Sequence, residues 1–338
     1  MHPIRTLLLL FAATVATAQE APSLPAETDS PAAAQTTQTL DAVLVTGEQP
    51  GPGLWKITKG DHVLWILGTQ QPLPKDFTWR AAEVEKIIAQ SQQVLSDADV
   101  GVHVGFFRSI FLLPSVLGAK KNGDGKTLHD VLPPELYARW LALKQKYIGR
   151  DNGVERLRPM LAANELYKKA IKKSGLTPSN LAQDVVDFYA KKYKVPVETP
   201  HVKLEIEDPK QAIADFESTA GSLDVACLER TIARLETDLG AMRARANAWA
   251  IGDLEALKNL PYPDQRAACI AAVSSNPRLA EQLRQARQRV DGDWVAAADA
   301  ALARNMSTLA VLPIAELLRP DGRLAQLRAK GYAIEDPQ

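Results

Sequence analysis

At 338 residues, with 46% hydrophobic and 24% charged side chains, the chain is long enough to bury one large core or two modest ones. That composition excludes both intrinsic disorder and a multi-span membrane protein. The 40 Lys and Arg residues balance 40 Asp and Glu residues, so there is no basic surplus to hold nucleic acid, and no nucleic-acid partner is expected.

Residues 1–18 read as a secretory signal peptide. Arg5 supplies the positive start, Leu7 to Ala13 the apolar stretch, and Ala16-Thr17-Ala18 the small-residue site, with cleavage after Ala18. The apolar run is well short of the ~20 residues a membrane span needs, and no transmembrane span is expected in the mature chain. Cleavage would leave 39 basic against 40 acidic side chains. Both cysteines, Cys227 and Cys269, fall in the exported part. They have no CxxC spacing and no neighbouring His, so in an oxidising compartment they are expected to form a structural disulfide.

Residues 19–50 are rich in Pro, Ala, Thr and Gln and are expected to be a flexible linker, because they carry too little apolar surface to offset the entropy of ordering. Within them, residues 40–47 (LDAVLVTG) resemble a run near the start of TonB-dependent receptors, a hint of an envelope setting. Residues 51–338 are read as one folded domain.

That domain opens on GLWKITKGDHVLWILGTQQPLP, residues 53–74. Two β-type runs, 54–58 and 62–67, flank Lys59-Gly60-Asp61, a hairpin signal. The second run is nearly all apolar, as expected of a strand covered on both faces. It ends at Gly68-Thr69-Gln70-Gln71, where Pro72 and Pro74 stop both strand and helix. This stretch, with the DFTWR that follows, resembles the opening of the TraB/GumN family, related to the Tiki-type metalloproteases. In that family the loop reads Gly-x-x-His and the histidine is a proposed metal ligand. Here the motif glycine is Gly68 and the histidine position is Gln71.

Residues 79–91 are predicted as an amphipathic helix burying Val84, Ile87 and Ile88. Residues 93–99 form the next predicted strand, and the resemblance places Asp97 at the family's Glu position. An apolar cluster at 104–117 could be a lid or packing helix. Asn122 to Gly125 is a turn, and TLHDVLPPE (127–135) leads into a helix with Pro134 in its first turn. Further helical blocks at 160–173 and 185–192 alternate with a short strand at 195–199. This alternation predicts an α/β (α+β) fold, a central mixed β-sheet flanked by helices. From 215 to 259 the pattern turns to long helix, with Leu228, Ile232, Leu235, Leu239, Met242, Ala246 and Trp249 on one seam. This seam is expected to pack on its own domain. Residues 279–302 are helical, with Arg289 and Trp294 loosely similar to a family Arg and Trp pair.

The closing block carries the second family motif. The anchor PDG…L..LR.KGY sets the register, which puts the motif glycine at Pro313 and its histidine at Glu316. The resemblance thus implies a site of Gln71, Asp97 and Glu316, with Gly68 and Pro313 as scaffold, at positions where His, Glu and His would gather around a metal. Such a donor set suits zinc poorly, although its oxygens could hold Mg, Mn or Ca weakly. No cofactor is expected, and little family-type hydrolysis, since a metal-activated water needs a well-held Lewis acid. The chain lacks Gly-x-Ser-x-Gly, Walker A, Gly-x-Gly-x-x-Gly and His-Glu-x-x-His motifs. The expectation is a periplasmic, non-catalytic scaffold whose partner is a peptide, a glycan or an envelope protein. The alternative is a metal-dependent hydrolase or peptidase with an altered oxygen-ligand site.

Overall fold

The computed structural model describes residues 47–103, 120–205, 209–260, 269 and 277–337. The signal peptide, most of the linker with residues 40–46, and the apolar cluster at 104–117 lie outside the described residues.

The hairpin forms as the sequence predicts. Strand β1 (Leu54–Lys59) pairs antiparallel with β2 (His62–Thr69), and the pairing reaches Lys59 opposite His62. That leaves a two-residue turn in which Gly60 takes φ +59°, a conformation glycine adopts without steric cost. Strands β3 (Gln93–Leu95), β4 (Val197–Glu198), β5 (Ser307–Pro313) and β6 (Ala333–Glu335) complete a six-stranded mixed sheet in the order β6-β1-β2-β5-β3-β4. The three contacts from β2 through β5 and β3 to β4 are all parallel. The central strands read as apolar runs because both their faces are covered: Leu64, Ile66, Leu67, Leu309, Ala310 and Leu312 are all at 0% exposure.

Helices flank this sheet. In α1 (Ala82–Gln90), the buried positions are Val84, Ile87 and Ile88, the face the sequence predicts. Each contributes up to about 1.5–3 kcal/mol by leaving water. The helix starts later than expected because Thr78–Trp79 pairs in parallel with Glu48–Gln49. The strand predicted over 93–99 is interrupted at Ser96–Ala98. Parallel pairing then resumes between Asp99–His103 and His201–Glu205.

A second core is built by helices alone. Helix α2 (Pro134–Tyr147) begins with Pro134 in its first turn, and α3 (Pro159–Lys173) and α5 (Pro209–Thr237) pack beside it. Between α3 and α5 in the chain, α4 (Leu181–Tyr193) returns to pack on α1. Trp140, Ala162, Leu166, Leu228 and Ile232 are all fully buried in the helical core. Cys227 and Cys269 are joined in a disulfide with Cα atoms 4.5 Å apart, as the pairing argument expects.

The predicted long helix over 215–259 is broken. Helix α5 ends at Thr237, α6 runs Leu239–Ala250, and α7 (Leu254–Asn259) follows Gly252 at φ +75°. The apolar seam therefore serves three clusters in turn. Leu228, Ile232 and Leu235 lie in the helical core, Met242 in a small cluster with Ile171 and Leu176, and Ala246 and Trp249 in the sheet core. The seam ties the two cores of one chain together.

Candidate functional site

Three adjacent parallel strands, β2, β5 and β3, end on one edge of the sheet. Thr69 lies opposite Pro313, the last residues of β2 and β5, while β3 ends at Leu95. Gln71 follows β2 by two residues, Asp97 follows β3 by two, and Glu316 sits in α9 (Ile314–Leu317), which begins directly after β5. The carboxyl edge of parallel strands is where open α/β sheets form clefts, because the loops there leave a rigid scaffold side by side.

The floor of this edge is fixed by close packing at Gly68. A Cβ there would lie 2.9 Å from the Trp55 ring, 3.1 Å from Leu317 and 3.2 Å from Ile314. Trp249, at the end of α6, donates its indole N–H to the Gly68 carbonyl at 2.7 Å. Phe77 and Trp79 pack against the same indole, with ring centroids 5.4 and 5.9 Å away. In the loop beyond, Gln70 is buried and bonds back to the Gln71 carbonyl at 2.8 Å, whereas the Gln71 side chain is exposed.

Asp97 occupies the gap where the β3–β4 pairing is interrupted. One of its oxygens, Oδ1, accepts from the Ala98 N–H at 2.7 Å and from Arg323 Nη1 at 2.6 Å. Arg323 opens α10 (Arg323–Ala329) and is almost fully buried. Its guanidinium stacks 5.2 Å from the centre of the Trp294 ring, and its Nε donates to Asp291 Oδ1 at 3.1 Å. Trp294 in turn donates to the Ser96 carbonyl at 3.0 Å. Asp291 is buried on α8 (Pro277–Arg304), and its other oxygen accepts from Arg319 Nη2 at 2.6 Å.

Arg319 completes the connection to Glu316. Its Nη1 lies 2.8 Å from Glu316 Oε2 and its Nε 2.9 Å from Asp321 Oδ1, both contacts off the hydrogen-bond line. Arg287, exposed on α8, reaches Glu316 Oε1 at 3.3 Å. The loop carrying Arg319 can fold this tightly only because residue 322 is glycine. A Cβ on Gly322 would come 2.4 Å from the Glu316 carbonyl oxygen and 3.0 Å from that of Arg319.

The structure thus links Asp97 and Glu316 through an unbroken chain of ion pairs, Asp97–Arg323–Asp291–Arg319–Glu316–Arg287. Gln71 shares the sheet edge but takes no part in that chain. Burial pushes the Glu316 carboxyl above its ordinary value. The negative charges of Asp291 and Asp97 push the same way, while Arg287 and Arg323 oppose them. Asp291, Arg319 and Arg323 were not singled out from the sequence. A signal was present: Arg287, Asp291 and Trp294 are spaced i, i+4, i+7, so they share one helix face. Trp294 belongs to the cluster, whereas Arg289, read beside it as the family pair, is exposed.

The donors present do not fit a divalent metal. Both oxygens of Asp291 and both of Glu316 already face guanidinium groups, as does Oδ1 of Asp97. A divalent ion about 4 Å from one guanidinium would meet roughly 8 kcal/mol of repulsion at an effective dielectric of ~20, twice the figure for unit charges. Among the described residues, no group of three or more His, Cys, Asp and Glu side chains has a metal-holding arrangement. His62 instead bonds through Nδ1 to the Leu302 carbonyl at 2.8 Å, and His201 lies 3.6 Å from Asp99. A polar hollow of about 540 Å³ is lined by Lys59, Asp299, Lys330 and Tyr332. It sits by the hairpin turn, at the opposite end of β2 from Gly68.

These features define an α/β protein with a polar, arginine-bridged network at the carboxyl edge of its parallel strands. The TraB/PrgY/gumN family profile matches residues 53–336, and the chain belongs to that family. No curated protein and no solved structure matches the chain. No helix among the described residues is long and apolar enough to cross a membrane.

Proposed function

We propose that this protein is an exported, envelope-associated binding scaffold of the TraB/PrgY/gumN family that does not carry out metal-dependent hydrolysis. The carrying observation is that Asp97 and Glu316 are both engaged by arginine side chains. A carboxylate held in this way is a poor ligand for a metal, because oxygens that would bind the ion already face guanidinium groups. Gln71, in the loop that presents the first motif, offers a neutral amide where an imidazole would be needed. The signal-peptide pattern of residues 1–18 supports export to the periplasm.

The charged sheet edge is suited to polar recognition. Asp97, Gln71 and Arg287 are at least partly open to solvent, and the packing at Gly68 fixes the strand end from which the Gln71 loop leaves. A peptide, a glycan or the polar face of an envelope protein offers the donors and acceptors these groups require. The test is metal content and peptide cleavage by the mature protein, purified without a metal-affinity tag. The expected result is no stoichiometric metal and no chelator-sensitive cleavage of a mixed peptide library. Cleavage abolished by a chelator and by Glu316→Ala would replace the scaffold reading with that of a hydrolase using oxygen ligands.

A further inference from the structure

We infer that the hollow beside the hairpin turn is a binding site for an oxyanion, a carboxylate or a phosphate, carried by a sugar-sized polar molecule. The site lies at the far end of β2 from the arginine network and does not depend on it.

Three segments build the hollow. Ala333 of β6 pairs with Thr58 of β1, so the next residues along the two antiparallel strands, Tyr332 and Lys59, face each other where the ladder ends. Lys330 precedes them in the turn that follows α10, and Asp299 comes from the C-terminal part of α8. Asp299 is the hub. Its Oδ1 accepts from the Tyr332 hydroxyl and lies 3.7 Å from Lys59 Nζ, while its Oδ2 accepts from Lys330 Nζ at 3.3 Å. Lys59 also donates to the Tyr332 hydroxyl oxygen at 3.4 Å and sits 5.5 Å from the centre of that ring. The Tyr332 side chain is itself buried, which fixes the back wall.

Charge and size select the ligand. The Tyr332 hydrogen bond, and then the two lysines, hold the Asp299 carboxyl below its ordinary value, so it is ionised. Burial, and then the bond to Asp299, push the Tyr332 hydroxyl up, so it stays neutral. Two ammoniums thus face one carboxylate, and a single positive charge is left over. Among the described residues no other acidic side chain lines the hollow. Each ammonium carries three N–H donors, more than Asp299 and Tyr332 take up. Both lysine side chains are about half exposed, so the remaining donors are open to an incoming anion. The rest of the wall includes Gly60 and Gly331, where no heavy atom lies within 4 Å of the place a Cβ would occupy. A volume of about 540 Å³ falls within the roughly 300–1,000 Å³ of small-molecule sites. A bare inorganic ion would leave most of it unfilled, and the polar lining disfavours an apolar body.

The experiment titrates glucuronate, glucose 6-phosphate and neutral glucose into the mature protein at constant ionic strength, following the amide NMR signals of residues 58–61 and 330–333. Saturable shifts are expected with the acids and none with glucose. A response to only one acid identifies the group the site takes. Asp299→Asn keeps an acceptor for Tyr332 but removes the opposing charge, and is expected to tighten binding about fivefold. Lys330→Gln cancels the surplus charge and is expected to weaken binding by a similar factor, that of one unit charge about 4 Å away in a water-like dielectric. Native protein that gives no saturable shift with either acid overturns the inference, and this arm needs no variant to fold. An equal response to glucose overturns it too, as does unchanged affinity in a folded Asp299→Asn variant. Metal-dependent cleavage by the native protein would end the scaffold reading and leave this site untouched.

Discussion

The helical half and the sheet half both pair arginine with carboxylate, but under different constraints. In the helical half, Arg158 donates to Asp224 at 2.7 Å, with the two side chains only 11% and 2% exposed. Nearby, Lys144 lies 2.9 Å from Glu155, which also accepts from the Trp140 indole at 3.0 Å. These pairs are sealed among packed helices. At the sheet edge the pairs form a chain instead, buried at Asp291 and Arg323 and open at Arg287 and Asp97. The sealed pairs brace the helix packing, whereas the chained ones leave charged groups within reach of a ligand. Similar pair chemistry therefore marks structure in one place and a candidate site in the other, and solvent access is what separates them.

The contrast breaks most sharply at Asp224. Burial pushes its carboxyl above the ordinary value even though the hydrogen bond and charge of Arg158 pull it down. Arg158→Ala would strand that group and is expected to cost about 3–5 kcal/mol in urea unfolding. Replacing both partners, as Arg158→Met/Asp224→Leu, should recover most of the loss, since no uncompensated charge remains. A single variant within experimental error of the native protein would show that water reaches this pair, and the contrast with the sheet edge would fail.

Gly322→Ala addresses the open network through its backbone. The added methyl meets two carbonyl oxygens, which cannot rotate aside as a side chain can, so the turn has to open. The expected cost is roughly 1–3 kcal/mol, together with loss of the Arg319–Glu316 approach. Gly68→Ala should cost less, because Ile314 and Leu317 contribute side-chain atoms that can yield. Thermal unfolding of the two variants side by side checks the order. If Gly68→Ala is the worse, the aromatic floor is stiffer than the arginine turn.

Glu316→Gln tests the electrostatics of the open network. A carboxyl whose folded value is raised binds more protons in the folded state than in the unfolded state. Its contribution to stability is therefore fully present below its ordinary value of 4.5 and is lost as pH rises through the folded value. Glutamine does not titrate, so relative to the variant the native protein should lose stability as pH rises from about 4.5, then level off. Urea unfolding at several pH values reads the difference directly. A flat difference would mean that Arg287 and Arg323 fully offset the burial of Glu316.

Much of the fold was legible in the sequence because it rests on local patterns. The apolar run at 62–67, the Gly60 turn, Pro134 at a helix start and the Val84, Ile87, Ile88 face each carry their own signal. The break at Asp238 carries none, since the apolar spacing passes through it without interruption. The site was legible as positions and not as chemistry. The strand-end loops pointed to Gln71, Asp97 and Glu316, yet the partners of the two acids come from α8 and the Gly322 turn. Which arginine meets which carboxylate depends on how those elements pack, and spacing along the chain does not encode it. The i, i+4, i+7 series Arg287, Asp291, Trp294 was the one readable clue, and it also fits an ordinary amphipathic helix.

The smallest expected effect completes the series of pairings. Arg139 on α2 forms a two-point contact with Glu236 on α5, Nη2 to Oε2 at 2.7 Å and Nε to Oε1 at 3.1 Å. By geometry it is at least as good as the Arg158–Asp224 pair, but both side chains are more than a third exposed. Water competes for each group, and salt screens what remains. A double-mutant cycle with Arg139→Ala and Glu236→Ala is expected to give a coupling of at most about 1 kcal/mol, shrinking further as salt is added. A coupling as large as that of the buried pair would mean that two-point geometry, and not exclusion of water, sets the strength of these contacts. In that event the openness of the sheet-edge network would no longer distinguish it from the pairs that brace the helices.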